Sequence, residues 1–373
     1  MISIEEFTNA YKNVPNEFIR SKLNEGNKIL GYTCSMIPEE IIHAAGLLPI
    51  RIFPYGHSDT TLADGYMTNL NCSFSRNILD KVLKGDYDFL EGAVFYNSCD
   101  HMRRMTDNWR FRKSLPFVHF MSIPHLGDEE AFKWFKGEVL KLQKHIEDYF
   151  NVEISNKKLS ESIKLYNETR RLLQELYDLR KVEAPKIWGH EITSILGACM
   201  VYPKEEFNQI LKEYINEIKN RPGIEDLPRL MIVGSIIDDP QYIKLIEDQN
   251  AIVVTDYNCI GTKYFLKEVD EKKDPIEALT ERYLYKPPCP RGLGSMLGHK
   301  KRLEYVKNLI KEYYIDGVIL ERIKMCDLWS GDIYMMDGDL KSLGVPTLIL
   351  EREYFLSGEG QMKTRVQAFL EML

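Results

Sequence analysis

Short apolar segments alternate with stretches of helical periodicity along the first third of the chain. The segments typical of β-strands cover residues 28–33, 48–53, 89–96 and 117–123. Helical patterns lie between them, at residues 38–46, 73–83 and 102–112. Strands that are separated by helices require crossover connections, which give a parallel sheet covered on both faces. We therefore predict an N-terminal α/β domain over residues 1–126.

The strand pattern largely stops between residues 127 and 222. A long helix is indicated here by apolar residues that share one face, namely Leu165, Leu172, Leu173, Leu176 and Leu179. The inserted helical region has two interpretations. It is an interaction surface or lid, or it is a layer of helices that covers the first sheet.

The alternation resumes after a break at Arg221-Pro222-Gly223. Strand segments follow at residues 230–235, 251–256, 317–320 and 347–351, and helical patterns lie between and after them. The pattern predicts a C-terminal α/β domain over residues 223–373, again with four strands.

A short sequence echo favours an internal duplication. Glu91-Gly92-Ala93-Val94 leads to Cys99-Asp100, and Asp316-Gly317-Val318-Ile319 leads to Cys326-Asp327. Each pair is followed by a helical pattern and then by a strand that begins at a proline, Pro116 or Pro346. The two halves therefore read as copies of one α/β unit.

Composition and charge narrow the class of protein. At 373 residues, two domains are expected, and 44% hydrophobic with 28% charged residues is typical of a soluble globular protein. The formal net charge of −7 argues against a nucleic-acid binder, which would need a basic face. No apolar run approaches the length of a membrane span, and the first residues, Met1-Ile2-Ser3-Ile4, lack the features of a signal peptide. We expect a cytoplasmic protein that binds neither nucleic acid nor membrane.

The chain contains seven cysteines, which a reducing cytosol would keep out of disulfides. Either they are small core residues scattered through the fold, or several of them converge on a metal. Six lie at predicted strand ends, at a helix start or in loops: Cys34, Cys72, Cys99, Cys259, Cys289 and Cys326. Only Cys199, in Leu196-Gly197-Ala198-Cys199-Met200, has the surroundings of a helix-packing residue.

The positions of the six cysteines favour a metal. Open parallel sheets bind ligands outside the carboxyl ends of their strands, and four of the six follow predicted strands. Cys72 opens a helix, whose dipole stabilises a thiolate, and Cys289 lies in the rigid loop Pro287-Pro288-Cys289-Pro290. Six thiolates drawn from both halves indicate soft-metal or iron–sulfur ligation in the cleft between the domains.

Other motifs are missing or uninformative. The sequence has no C-x-x-C spacing, no P-loop, no G-x-G-x-x-G fingerprint, no G-x-S-x-G elbow and no H-E-x-x-H zinc motif. ATP and dinucleotides are therefore not expected to bind tightly. His57 and His101 lie near predicted loop ends, and a structural role is expected for both.

The motifs resemble a superfamily that contains the (R)-2-hydroxyacyl-CoA dehydratases, the ATP-dependent benzoyl-CoA reductases and the double-cubane cluster proteins. The resemblance covers nearly the whole chain and rests on five segments: Pro38-Glu39-Glu40-Ile41-Ile42-His43-Ala44-Ala45-Gly46, Asn71-Cys72-Ser73, Ser98-Cys99-Asp100, Met325-Cys326-Asp327 and Gly360-Gln361-Met362-Lys363-Thr364-Arg365. It implies two flavodoxin-like domains with additional helices.

The resemblance also implies the cluster ligands. In the dehydratases a subunit binds one [4Fe–4S] cluster through three cysteines, which match Cys72, Cys99 and Cys326. The double-cubane proteins carry three more, which resemble Cys34, Cys259 and Cys289, and hold two cubanes joined by a sulfide. This chain has all six, although Cys99-Asp100-His101-Met102-Arg103-Arg104 and Glu351-Arg352-Glu353-Tyr354 are more similar to the dehydratase and reductase subunits.

Three functional hypotheses follow from this resemblance. The first is a low-potential reductase with a double-cubane [8Fe–9S]-type cluster in the interdomain cleft. The second is a subunit of a (R)-2-hydroxyacyl-CoA dehydratase or benzoyl-CoA reductase with a single [4Fe–4S] cluster, which acts through a ketyl radical on an acyl-CoA substrate. The third is a non-catalytic cluster carrier or scaffold. The implied partners are an ATP-hydrolysing iron–sulfur activator and either a second copy of the chain or a paralogous subunit.

Overall fold

Two parallel sheets form the framework of this protein. The computed structural model describes residues 3–293, 296–356 and 358–373, so Met1 and Ile2 of the N-terminal stretch lie outside the described residues. The first sheet contains β1 (Ile29–Tyr32), β2 (Leu48–Arg51), β3 (Gly92–Tyr96) and β4 (Phe117–Met121). The second contains β5 (Arg229–Gly234), β6 (Ile252–Tyr257), β7 (Gly317–Ile323) and β8 (Thr347–Arg352).

The two sheets repeat one strand order. The first runs β2-β1-β3-β4 and the second runs β6-β5-β7-β8, with every neighbouring pair parallel. This is the order of the flavodoxin-like doubly wound fold. The predicted α/β class with two flavodoxin-like sheets is confirmed, and all eight predicted strands are present.

Helices surround both sheets. In the N-terminal part they are α1 (Ile4–Lys12), α2 (Glu17–Asn24), α3 (Glu39–Ala44), α4 (Ser73–Lys84) and α5 (Asp100–Arg112). The inserted region supplies α6 (Glu129–Phe150), α7 (Asn156–Asp178), α8 (Gly189–Cys199) and α9 (Lys204–Ile218). The C-terminal part has α10 (Pro240–Glu247), α11 (Thr262–Phe265), α12 (Pro275–Tyr285), α13 (Met296–Glu312), α14 (Asp327–Ser342) and α15 (Glu359–Leu370). No helix within the described ranges is both long and apolar enough to cross a bilayer.

Glycine allows β3 of the first sheet to pair with the edge strand β4. Gly92 begins β3 and lies in register with Phe117 of β4. A Cβ atom at Gly92 would lie 2.4 Å from the Phe117 carbonyl oxygen, which is far inside van der Waals contact. The glycine of the sequence echo is therefore required by strand packing at this position.

The inserted helices cover one face of the first sheet. Leu30 of β1 and Val94 of β3 share one buried cluster with Phe135 of α6 and Ile163 of α7. The packing thus supports the helical-layer interpretation of the insertion. Leu279 of α12 joins the same cluster, so a helix from the C-terminal part of the chain packs into the core of the first sheet.

A buried ion pair fixes this arrangement. Arg170 of α7 donates to the Glu40 carboxylate of α3, and the Tyr283 hydroxyl of α12 donates to the same carboxylate at 2.8 Å. Burial raises the pKa of Glu40, but Arg170 and Arg282 outweigh this effect and hold the pKa below its usual value. The carboxylate therefore joins three segments that are distant in sequence.

The Glu40→Gln substitution is expected to lower the stability of the fold. It leaves the Arg170 guanidinium buried without its counter-charge, which costs about 3–5 kcal/mol. Because the folded-state pKa of Glu40 is depressed, the wild-type contribution is present at neutral pH and is lost as the pH falls through that pKa. The urea unfolding midpoint measured from pH 7 downward tests this. The exposed pair formed by Glu129 and Lys133 at 2.9 Å supplies the control, since Glu129→Gln is expected to leave the midpoint nearly unchanged. Equal midpoints for the two variants would contradict the prediction.

Candidate functional site

Three of the candidate cysteines cap the N-termini of three helices. Cys72 directly precedes α4, Cys99 precedes α5, and Cys326 precedes α14. At each position the free amide groups and the dipole of the first turn favour a negative charge on sulfur. We call these three residues the helix-cap set.

The thiols of the helix-cap set influence one another across the two sheets. Burial raises the pKa of Cys99 to about 12, with a further contribution from the Cys72 thiol. Burial likewise raises the pKa of Cys326, and Cys72 and Cys99 both add to the effect. The Met102 amide lowers the pKa of Cys99, and the Trp329 amide lowers that of Cys326. The structure thus brings a cysteine of the C-terminal half to the two cysteines of the N-terminal half.

The other three candidates, Cys34, Cys259 and Cys289, lie in loops beyond the strands, and we call them the loop set. Burial raises the pKa of Cys34 to about 11, Arg51 opposes this, and the Cys289 thiol adds to it. The Gly292 amide donates to the Cys289 sulfur at 3.3 Å. Cys34 and Cys289 therefore interact electrostatically, although they come from opposite halves of the chain.

The two sets adjoin each other. The pKa of Cys326 in the helix-cap set is raised in part by Cys259 of the loop set, after burial and the other helix-cap thiols. Tyr96 lies at the end of β3, and burial raises its pKa, with further contributions from Cys289, Cys34 and Cys99. All seven cysteines are free thiols.

The six thiols are the kind of donor that an iron–sulfur cluster uses. Within the described ranges, no three His, Cys, Asp or Glu side chains are arranged to hold one metal ion. In a cubane each thiolate binds a different iron, so its ligands stand further apart. Buried thiols with nearby backbone amides also match the surroundings that such clusters require.

The loop that carries Cys289 is fastened to the first sheet. Arg291 donates through Nε to the Asn97 carbonyl at 2.6 Å and through Nη2 to the Asn97 side chain at 2.8 Å. Lys286 donates to the Ser35 carbonyl, next to Cys34. These contacts place Cys289 beside the carboxyl ends of β1 and β3.

His57 and His101, the histidines near predicted loop ends, both have polar partners. His57 bonds to the buried Asp80 carboxylate at 2.8 Å. His101 accepts a hydrogen bond from the Cys72 amide at 3.2 Å, and its other ring nitrogen lies 3.5 Å from Asp327. His101 thus joins the helix starts that carry Cys72 and Cys326.

Cys199 is fully buried inside α8, as the sequence indicated. Burial raises its pKa to about 11, Lys204 lowers it, and Glu39 raises it. Its position in the main hydrophobic cluster is that of a packing residue.

A small cavity lies beside the helix that Cys72 begins. Its volume is about 230 Å³, and Tyr55, Asp239 and Tyr354 contribute to its lining. The Tyr354 amide donates to the Ser73 hydroxyl at 2.7 Å, so the cavity wall adjoins the residue after Cys72. The Tyr354 hydroxyl also donates to Asp238 at 2.7 Å, and burial raises the pKa of Asp238 to about 6.

Several residues near the thiols were not predicted from the sequence. They are Arg51, Tyr96, Lys263, Lys286 and Arg291. Four of them stand within four residues of a candidate cysteine in the sequence, which is the one signal that could have indicated them: Tyr96, Lys263, Lys286 and Arg291. Arg51 is a strand residue without any such signal.

Comparison with known proteins gives a consistent result. The model of the family described as 2-hydroxyglutaryl-CoA dehydratase, D-component, matches residues 34–373, a span that contains all seven cysteines. The chain is 25% identical to the (R)-phenyllactyl-CoA dehydratase beta subunit of Clostridium sporogenes over 100% of both chains. It is 28% identical to one of the benzoyl-CoA reductase subunits of Thauera aromatica, over 80% of this chain and 79% of the relative. It is 24% identical to the (R)-2-hydroxyglutaryl-CoA dehydratase subunit beta of Acidaminococcus fermentans, over 99% and 98%.

Proposed function

Because the chain belongs to the 2-hydroxyglutaryl-CoA dehydratase D-component family, we propose that it is an iron–sulfur enzyme whose six clustered cysteines hold a double-cubane [8Fe–9S]-type cluster. The observation that carries this proposal is the proximity of the two cysteine sets. The Lys263 ammonium lies 4.0 Å from the Cys259 sulfur of the loop set and 4.4 Å from the centre of the Trp329 ring, in the helix that Cys326 begins. Cys259 also acts electrostatically on Cys326. The names of the relatives, which are dehydratases and reductases, support an enzyme over a scaffold.

The chain would hold the cluster through its thiolates and adjust it through backbone amides. When bound, the cluster supplies a single electron at low potential. Burial raises the pKa values of Cys99 and Cys326, and the first-turn amides of α5 and α14 lower them. These amides therefore favour the thiolate form in a dry site. The same amides stabilise added negative charge, as hydrogen bonds to cluster sulfurs do in general.

A small substrate group would bind in the cavity between Tyr55, Asp239 and Tyr354. This cavity adjoins the Cys72 helix through the hydrogen bond between Tyr354 and Ser73. The buried Asp238 carboxyl and the Tyr354 hydroxyl behind its wall would orient a polar group there.

Electrons would come from a separate ATP-hydrolysing iron–sulfur activator. The sequence has no P-loop of its own, so the ATP-dependent step has to take place on another protein. Cys99 and Cys326 are partly exposed, as are the three cysteines of the loop set, so such a partner could approach the site from the surface.

The Cys289→Ser substitution tests the double-cubane proposal. The wild-type chain, purified without oxygen, is expected to contain about eight iron atoms, and the variant about four, because one cubane loses a ligand. Iron and acid-labile sulfide per chain are the measurements. Cys199→Ser is the matched control and should keep all its iron, at a cost in stability of about 1 kcal/mol. About four iron atoms in both wild type and Cys289→Ser would refute two cubanes and leave one on the helix-cap set.

The second candidate function is a subunit of a heterodimeric acyl-CoA dehydratase or aryl-CoA reductase with one cubane. The specific observation in its favour is that the relatives are named as subunits of such enzymes. In that case Cys72, Cys99 and Cys326 would hold the cluster, and a paralogous chain would be required for activity. The native mass and activity of the chain purified alone separate the candidates. An active homodimer supports the first, and activity only with a second chain supports the heterodimer.

A further inference from the structure

Three buried cationic side chains lie around the loop set of cysteines. They are Arg51 at the end of β2, Lys263 in α11 and Lys286 in the loop before Cys289. Each exposes 4% of its surface or less. Cations are rarely buried to this degree unless an anionic partner offsets their loss of hydration.

Lys263 stands directly beside Cys259. Its Nζ atom lies 4.0 Å from the Cys259 sulfur. The same ammonium lies 4.4 Å from the centre of the Trp329 ring and 5.0 Å from that of Tyr257. Because Trp329 belongs to the first turn of α14, which Cys326 caps, Lys263 occupies the boundary between the two sets.

Lys286 faces Cys34 and Cys289. It donates to the Ser35 carbonyl and precedes Cys289 by one short turn of chain. Its position therefore suits an ammonium that is paired with a negative charge held by those two sulfurs.

Arg51 offers donors that no protein atom uses. It lies in register with Tyr32, two residues before Cys34, and its charge acts on the Cys34 thiol. The Nε and Nη1 atoms are buried and have no hydrogen-bond partner among the described residues. A buried guanidinium with unsatisfied donors points to an anion that occupies the space in front of it.

The helix-cap set has different surroundings. The half-exposed Asp327 carboxylate directly follows Cys326. His101 lies between Asp327 and the Cys72 amide. At these sulfurs the Asp327 carboxylate opposes the partial positive charges of the three helix starts, whereas the loop set is surrounded by the full positive charges of buried cations.

We infer that Arg51, Lys263 and Lys286 make the loop set the electron-storing end of the site. This inference rests on the proposed function. Reduction adds one negative charge to a cluster, so nearby buried cations raise its midpoint potential, and a carboxylate lowers it. An electron that reaches either set would therefore reside on the loop set.

Redox titration of the iron-loaded chain, followed by electron paramagnetic resonance, tests the inference. Wild-type protein is expected to show two midpoints, and the signal that disappears in Cys289→Ser identifies the loop set. Lys263→Met and Lys286→Met should shift that midpoint to more negative potential. We expect at least a tenfold change in the reduction equilibrium constant, about 59 mV for one electron. The other midpoint should stay in place.

Two further variants keep the test decisive. Lys263→Arg retains the charge and should retain the wild-type midpoint. Lys81→Met removes a buried lysine of α4 that pairs with Asp86 at 3.6 Å, and it should change neither midpoint. If Lys263→Met and Lys286→Met keep their iron and both midpoints, the inference is wrong while the proposed function stands. If wild-type protein binds only about four iron atoms, the double-cubane proposal itself is wrong, and the inference fails with it.

Discussion

Replacing Cys99 by serine is expected to remove the cluster from the helix-cap set and abolish activity. A serine hydroxyl is not deprotonated at neutral pH and is a poor ligand for iron that is otherwise held by thiolates. Cys99 caps α5 and acts on both Cys72 and Cys326, so one lost sulfur disrupts the whole set. The iron content should fall from about eight to about four or fewer, and turnover should become undetectable.

Both candidate functions predict the loss of iron and activity in Cys99→Ser. They differ for Cys289→Ser, which should lose iron only if two cubanes are present. Both proposed functions assign a cubane to the helix-cap set, so we expect neither to tolerate its loss. Thermal unfolding and circular dichroism of the iron-free forms supply the control for folding, and Cys199→Ser is the matched thiol substitution. Retention of full iron and activity in Cys99→Ser would show that the ligands have been assigned wrongly.

Reduction of the bound cluster is expected to require an activator protein together with ATP. The sequence contains neither a P-loop nor a dinucleotide fingerprint after a strand, so NADH and ATP should have no tight site. An anaerobic assay that follows cluster absorbance with NADH alone, with ATP alone, and with activator plus ATP measures this. Only the last mixture should bleach the cluster within the time of turnover.

Each outcome of that assay has a definite meaning. Rapid reduction by NADH alone would refute the activator model and indicate a nicotinamide or flavin site. A strong artificial reductant serves as the positive control, because it should reduce the cluster without any protein partner. Protein that this reductant bleaches but that activator plus ATP leaves oxidised would also contradict the model.

The local architecture was predictable because strands and helices follow from short-range patterns. The strand predicted at residues 28–33 corresponds to β1 (Ile29–Tyr32), and the strand predicted at residues 117–123 corresponds to β4 (Phe117–Met121). The helix that Cys72 opens was also predicted, whereas the helix predicted from residue 102 begins two residues earlier, at Asp100. Regular alternation of elements was sufficient to give the parallel sheets.

Long-range packing was not predictable. Helix α12 lies in the C-terminal half of the sequence, but its Leu279 packs with Phe135 of α6 over the first sheet. Nothing in the periodicity of residues 275–285 identifies that partner. For the same reason the cations around the loop set were missed, because Arg51 reaches Cys34 only through the pairing of β2 with β1. Periodicity shows that a face is apolar without showing which surface it will contact.

The attachment of the Cys289 loop to the first sheet has a consequence for how the protein is made. Lys286 and Ser35 are 251 residues apart in sequence, and Arg291 and Asn97 are 194 residues apart. A ribosome therefore completes Cys34, Cys72 and Cys99 long before the residues that fasten Cys289 beside them have been synthesised. A half-made chain would expose thiols without their counterparts, and iron delivered at that stage would be held incompletely. A cluster held as proposed could therefore gain its full set of ligands only after Cys326 has been synthesised, near the end of translation.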